Sequence, residues 1–263
     1  MSKILAVLNQ KGGVGKTTTA VNLAAGLAQA GQRTLLVDID AQGNATTGVG
    51  ITKSTIELTV FDVLLGDCAR DKAILPTRQE LLDILPATLD LANAEVELAN
   101  VPDRELRLRQ ALDGAGERYP YIVIDTPPSL SLITVNCLAA ADGLIIPLQC
   151  EFYALEGLAQ LEHTVRLVKR GLNPSLEIVG ILLTMVDLRA KLFTDVIRTV
   201  RKQYGARVFN TEIPRTVRFA EAPSFGETVM TFDPRGKGAR AFRELTKEVL
   251  ARCSVNDAAA LAR

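Results

Sequence analysis

Short runs of apolar, often β-branched residues alternate with longer stretches of helical spacing along nearly all of the 263 residues. Strands are expected at 4–9 (ILAVLN), 33–40 (RTLLVDID), 81–87 (LLDILPA), 121–127 (YIVIDTP), 143–149 (GLIIPLQ), 177–187 (EIVGILLTMVD) and 207–213 (RVFNTEI). After the first of these, Ala20, Leu23, Ala24 and Leu27 recur at the spacing of one helix face, and Gly31 stops the run. Segments 154–171 and 239–253 have the same character. The strands are apolar throughout rather than alternating, the pattern of a sheet covered on both faces. Strand–helix alternation then predicts a doubly wound, mainly parallel α/β sheet with helices on both faces. A single domain over 1–253 is expected, with 254–263 as a loose tail. Ligands of such sheets bind outside the carboxyl ends of the strands. Chemistry is therefore expected just after residues 9, 40, 125, 149, 187 and 213.

Composition adds little on its own: 30 basic and 30 acidic residues balance, so bulk charge points to no nucleic-acid or membrane partner. The distribution says more. Between Arg189 and Arg243 twelve Lys or Arg face five Asp or Glu, making one end of the molecule basic on an acidic body. A solvated face and an anion-binding face fit that excess equally well. The cysteines, Cys68, Cys137, Cys150 and Cys253, lie far apart without metal-ligand spacing; Cys137 and Cys150 sit among apolar residues and read as core. Neither a signal peptide nor a membrane-spanning run is visible, so a cytosolic chain is the expectation. The lone His163 lies among charged residues of a helical stretch and reads as a surface residue.

The segment NQKGGVGKTTTA, from residue 9, follows the first strand and opens the first helix. Gly12, Gly13 and Gly15 let the backbone wrap an anion with its N–H groups turned inward, and the helix that starts near Lys16 adds its positive end. In such a loop Lys16 can reach the β- and γ-phosphates of a nucleotide, and the Thr17 hydroxyl can ligate Mg²⁺. Val14 and Thr18 complete the loop. The common P-loop pattern has Gly where this chain has Gln10, and this chain adds Lys11. One lysine suffices for phosphates bound in cis, so Lys11 is surplus. Asp38 and Asp40 end the strand at 33–40, and Asp125 ends the strand at 121–127; carboxylates there orient water or hold a hydrated cation.

The run KGGVGKTT is similar to the deviant Walker A motif of the ParA/MinD ATPases. That resemblance implies ATP and Mg²⁺ as cofactors and a nucleotide-sandwich homodimer in which Lys11 reaches the partner's phosphates, as an arginine finger does. VDIDAQGN resembles the family's switch I, which gives Asp40 the water-positioning role beside Mg²⁺; Ala41 departs from the usual proline. YIVIDTPPS resembles a Walker B segment, making Asp125 a Mg²⁺ residue. The stretches 144–161, 182–189 and 213–226 look like the chromosomal Soj/ParA branch. The branch implies that Pro214 and Thr216 lie beside adenine, with Met185 lining the same pocket. It also implies DNA contacts by Arg189 and Arg218, both inside the basic segment.

The function so implied is an ATP-driven partition switch. ATP closes a dimer, the dimer binds nucleoid DNA without regard to sequence, and a ParB-type protein triggers hydrolysis. With the phosphate loop so near the start, no helix-turn-helix domain is expected before it, so DNA binding through backbone phosphates is the expectation. Three other functions share the fold. A MinD-like membrane-recycling ATPase calls for a C-terminal amphipathic helix rich in Lys, which the small residues of LARCSVNDAAALAR do not resemble. An electron-transfer or metabolic ATPase of the nitrogenase iron-protein kind calls for cluster-holding cysteines. An orphan ParA that positions a protein cargo is also compatible with the sequence, with the partition switch as the leading reading.

Overall fold

The computed structural model describes residues 2–151, 154–187 and 191–261; Arg189 therefore lies outside the described residues. Among the described residues, eight strands form one sheet: β1 (Lys3–Val7), β2 (Thr34–Asp38), β3 (Leu75–Pro76), β4 (Leu82–Leu85), β5 (Tyr121–Asp125), β6 (Gly143–Gln149), β7 (Glu177–Val186) and β8 (Val208–Pro214). Their order is β3-β4-β2-β5-β1-β6-β7-β8. Every pairing is parallel except that of the two-residue edge strand β3 with β4. The doubly wound, mainly parallel sheet expected from the apolar runs is thus the fold. Only β3 was not expected; two residues are too few to show a period of two.

The largely apolar strands serve two cores at once, because successive side chains point to opposite faces. On β5, Ile122 and Ile124 join the core covered by helices Leu132–Ala140, Ala154–Gly171 and Lys191–Tyr204. Val123 points the other way, with Leu5 and Val7 of β1, into the core under helix α1 (Lys16–Gln29) and the last helix, Lys237–Leu261. Cys137 and Cys150 are buried in the first core and His163 is exposed, as the sequence suggested. The last helix continues to Leu261, past the end expected at 253.

β1 lies between β5 and β6, and the chain winds outward from it in both directions. This puts the loop after β1 at the point where strand order reverses, in the crevice where sheets of this kind bind ligands. Among the described residues, no helix is long and apolar enough to cross a membrane.

Candidate functional site

The loop between β1 and α1 is shaped by two glycines in the left-handed region, Gly13 (φ 77°) and Gly15 (φ 91°), which residues with a Cβ rarely enter. A Cβ added at Gly12, Gly13 or Gly15 would meet none of the described residues within 4 Å, so the loop borders open space among them. Its flanks are tied to the sheet. The Asn9 amide donates to the Pro147 carbonyl of β6 (2.7 Å) and its oxygen accepts from the Lys11 N–H (3.0 Å). The Thr184 hydroxyl, on β7, donates to the Val14 carbonyl (2.8 Å).

The two lysines of the loop are sorted differently. Lys16 is 7% exposed and donates from Nζ to the Lys11 carbonyl (3.0 Å). Burial lowers its pKa, opposed by the nearby carboxylates of Asp125 and Asp40. The Lys11 side chain is 53% exposed and its ammonium pairs with Glu151, just beyond β6. The sequence placed Lys11 and Lys16 in one motif; the fold separates their heads.

Asp38 and Asp125 face each other as register partners on β2 and β5, and both are fully buried. Asp38 is satisfied within the chain. It accepts from the Thr46 N–H and hydroxyl (both 2.7 Å) and from the Asp40 N–H (3.2 Å). Burial still pushes its carboxyl up to about 6, against those hydrogen bonds. Asp125 has no such support, since neither carboxylate oxygen has a hydrogen-bond partner. Burial, then the Asp38 charge, hold its carboxyl well above the usual range. The Thr17 hydroxyl and Lys16 pull the other way, Thr17 from a position that completes no well-aligned hydrogen bond. Asp40 is partly buried, its side chain accepting from the Gln42 N–H (3.0 Å).

An orphaned buried carboxylate beside a buried lysine and below an open glycine loop is unstable by itself. It fits a site completed by a cation and an anion. The donor set suits Mg²⁺ held by hard oxygens, with phosphate oxygens cradled by backbone N–H groups. Thr17 and Asp125 are the residues that would hold the cation, and the N–H groups of residues 12–17 with Lys16 would hold the phosphates.

Beside the loop lies a cavity of about 350 Å³ lined by Gly15, Thr18, Met185, Pro214, Thr216 and Phe219, among others. The fold thus brings together Met185, Pro214 and Thr216, which the family resemblance assigned to one pocket from two separate stretches. Met185 sits at φ 53°, a left-handed conformation uncommon for a residue with a Cβ, where the β7–β8 register shifts before Val186. Phe219 and Thr184 were not singled out from sequence. Their hydrophobic and hydroxyl types carry no signal without knowledge of which strands adjoin.

Arg218 opens the short helix Arg218–Glu221, whose Phe219 and Ala220 line that cavity. Its side chain is half-exposed and engaged, donating to Glu221 Oε2 (2.7 Å), with Asp233 at 3.9 Å and the Phe232 ring at 5.9 Å.

A protein-family model described as an AAA domain matches residues 2–178. The sporulation initiation inhibitor protein Soj of Bacillus subtilis is 53% identical over 251 residues, which cover 95% of this chain and 99% of Soj. The chromosome partitioning protein ParA of Myxococcus xanthus is 52% identical, with 96% and 89% covered. Among solved structures, a cobyrinic acid a,c-diamide synthase from Mycobacterium smegmatis with bound ADP and magnesium superposes with a TM-score of 0.85 at 37% identity, covering 97% and 96%. The septum site-determining protein MinD of Pyrococcus horikoshii, complexed with Mg-ADP, superposes at 0.78 with 25% identity, covering 95% and 96%.

Proposed function

The chain belongs to the ParA/Soj family of chromosome-partitioning ATPases, using ATP and Mg²⁺, and from that premise we propose how its residues carry the cycle. ATP closes two copies into a dimer, the dimer binds DNA through backbone phosphates, and a ParB-type partner stimulates hydrolysis and release. The protein then works in the cytoplasm, on the nucleoid.

Within one subunit, the loop N–H groups and Lys16 hold the β- and γ-phosphates. Met185, Pro214 and Thr216 hold the base, and Thr17 and Asp125 hold Mg²⁺. When bound, Mg²⁺ neutralises charge on the phosphates as the terminal phosphoryl group is transferred to water. Asp40 orients the attacking water. Its partly exposed place, near enough to Lys16 for its charge to act on that lysine, supports that role, whereas Asp38 is spent on Thr46 and the switch backbone.

One observation carries the dimer: the two lysines of one loop are sorted, Lys16 buried and Lys11 half-exposed and turned to the rim. A lysine outside its own phosphate cradle is free to serve a neighbour's. Gly12 supports the same reading. Its backbone does not require glycine and a Cβ there would touch none of the described residues, so its missing side chain matters to a bound nucleotide or a facing copy. Lys11→Ala should therefore bind ATP with near-normal affinity yet lose dimer-dependent hydrolysis. Light scattering with and without ATP, beside a turnover assay, tests it; an unimpaired Lys11→Ala enzyme would refute the role in trans.

A further inference from the structure

We propose that Glu151 is a positioning residue that holds the Lys11 ammonium on its own subunit until association supplies the partner's phosphates. It thereby sets how readily the ATP-bound dimer closes. The proposal rests on the reading of Lys11 as the lysine that acts across the dimer.

Lys11 is fixed at three points. Its N–H donates to Asn9 Oδ1 (3.0 Å), its carbonyl accepts from Lys16 Nζ (3.0 Å), and its ammonium donates to Glu151 Oε2. Asn9, itself buried, donates to the Pro147 carbonyl of β6 at 2.7 Å. Residues 9–11 thus hang from the strand whose carboxyl end leads into Glu151. Lys11 and Glu151 are 140 residues apart in sequence and meet because β1 and β6 are neighbours. The two backbone contacts set where Lys11 starts, and only the third governs where its charge goes.

The strength of that contact suits a hold that must release. The side chains are 53% and 44% exposed. Ion pairs that wet bias a side chain by only about two- to fivefold. The β- and γ-phosphates of a facing subunit offer several negative oxygens in a site closed from water, and they outcompete one solvated carboxylate. A carboxylate beside a polyphosphate repels it, so Glu151 is not itself a phosphate ligand. Its effect passes through Lys11. Departure of Lys11 leaves Glu151 unpaired at the rim, so removing the carboxylate should ease closure rather than hinder it.

The test uses the full chain. In the nucleotide-free protein, acylation of Lys11 by an amine-reactive ester, read by mass spectrometry, should run about two to five times faster in Glu151→Gln than in the wild type. The protein concentration at half-maximal ATP-dependent dimerisation should fall by a similar factor, with turnover per closed dimer unchanged. In a Lys11→Ala background, Glu151→Gln should restore neither association nor turnover. Unchanged labelling of Lys11 would overturn the proposal, because the pair then holds nothing. A higher dimerisation midpoint in Glu151→Gln would also overturn it, making Glu151 an interface residue. So would association regained by Glu151→Gln in the Lys11→Ala background. Normal ATP-driven dimerisation and turnover of Lys11→Ala alone would instead remove the trans role of Lys11, and the labelling rates would still report on the pair.

Discussion

Asp125 shows how function is written at the scale of one residue. A buried carboxylate without a hydrogen bond destabilises the nucleotide-free fold by about 1–3 kcal/mol. Its raised pKa gives the sign of the pH effect. The folded state keeps its proton to higher pH than the unfolded chain does, so this cost appears as pH rises through the folded pKa and is absent below the unfolded one. Asp125→Asn should therefore melt higher than the wild type without ligand, more so toward high pH, while losing Mg²⁺-dependent nucleotide binding. Calorimetry with and without Mg-ATP checks both halves. Asp40→Ala should keep ATP affinity and lose hydrolysis, trapping the dimer, whereas Lys16→Ala should lose affinity itself. Arg218 is paired with Glu221 in the lone subunit, and phosphates must compete for it. Glu221→Gln should tighten ATP-dependent DNA binding by about two- to fivefold, the scale of a half-exposed ion pair, and Arg218→Glu should abolish it. Gel-shift titrations decide between them.

Between elements, close backbone approach matters more than any single polar contact. Helix α1 packs on the last helix at Gly26, where an added Cβ would fall 2.1 Å from Thr246 Oγ1. Gly26→Ala should cost about 1–3 kcal/mol by overpacking, and a companion Thr246→Ala should recover part of it. At about 2–4 °C per kcal/mol for a chain of this size, thermal melts resolve the difference. A second approach joins the nucleotide site to the Arg218 segment. Gly50 and Gly226 stand back to back in left-handed turns, a Cβ on either meeting the other's backbone at 2.7–2.8 Å. The Val229 N–H donates to Asn22 Oδ1 (2.8 Å), and Asn22 in turn donates to the Thr18 carbonyl (2.8 Å). The chain that carries Arg218 is thus seated on α1 and on the turn after the short helix Asn44–Gly48.

For the molecule as a whole, the proposed DNA contacts number few per copy, too few to bind DNA at physiological salt. Two copies joined as one rigid body double the contacts and raise affinity by orders of magnitude without a new kind of contact. DNA binding should therefore require ATP, ignore sequence and weaken steeply with salt. Tight binding in ADP, measured on unrelated duplexes across a salt series, would contradict the switch.

The sequence by itself determined what is local. The phosphate loop is contiguous, and its glycines, lysine and threonine act through neighbouring backbone, so their order suffices to read them. The seven longer strands were legible for a similar reason: burial on both faces leaves most of them apolar along most of their length, β8 with its exposed Asn210 being the mixed one. Expected ends ran a residue or two long, as at 33–40 against Thr34–Asp38, because the apolar pattern continues where the chain leaves the ladder to build the site. Tertiary structure alone decided the rest. That Asp38 meets Asp125, that Thr184 holds the Val14 carbonyl 170 residues away, and that Lys11 rests on Glu151 all follow from which strands adjoin. Strand order is set by crossovers and core packing over the whole sheet, and no short-range period along the chain encodes it.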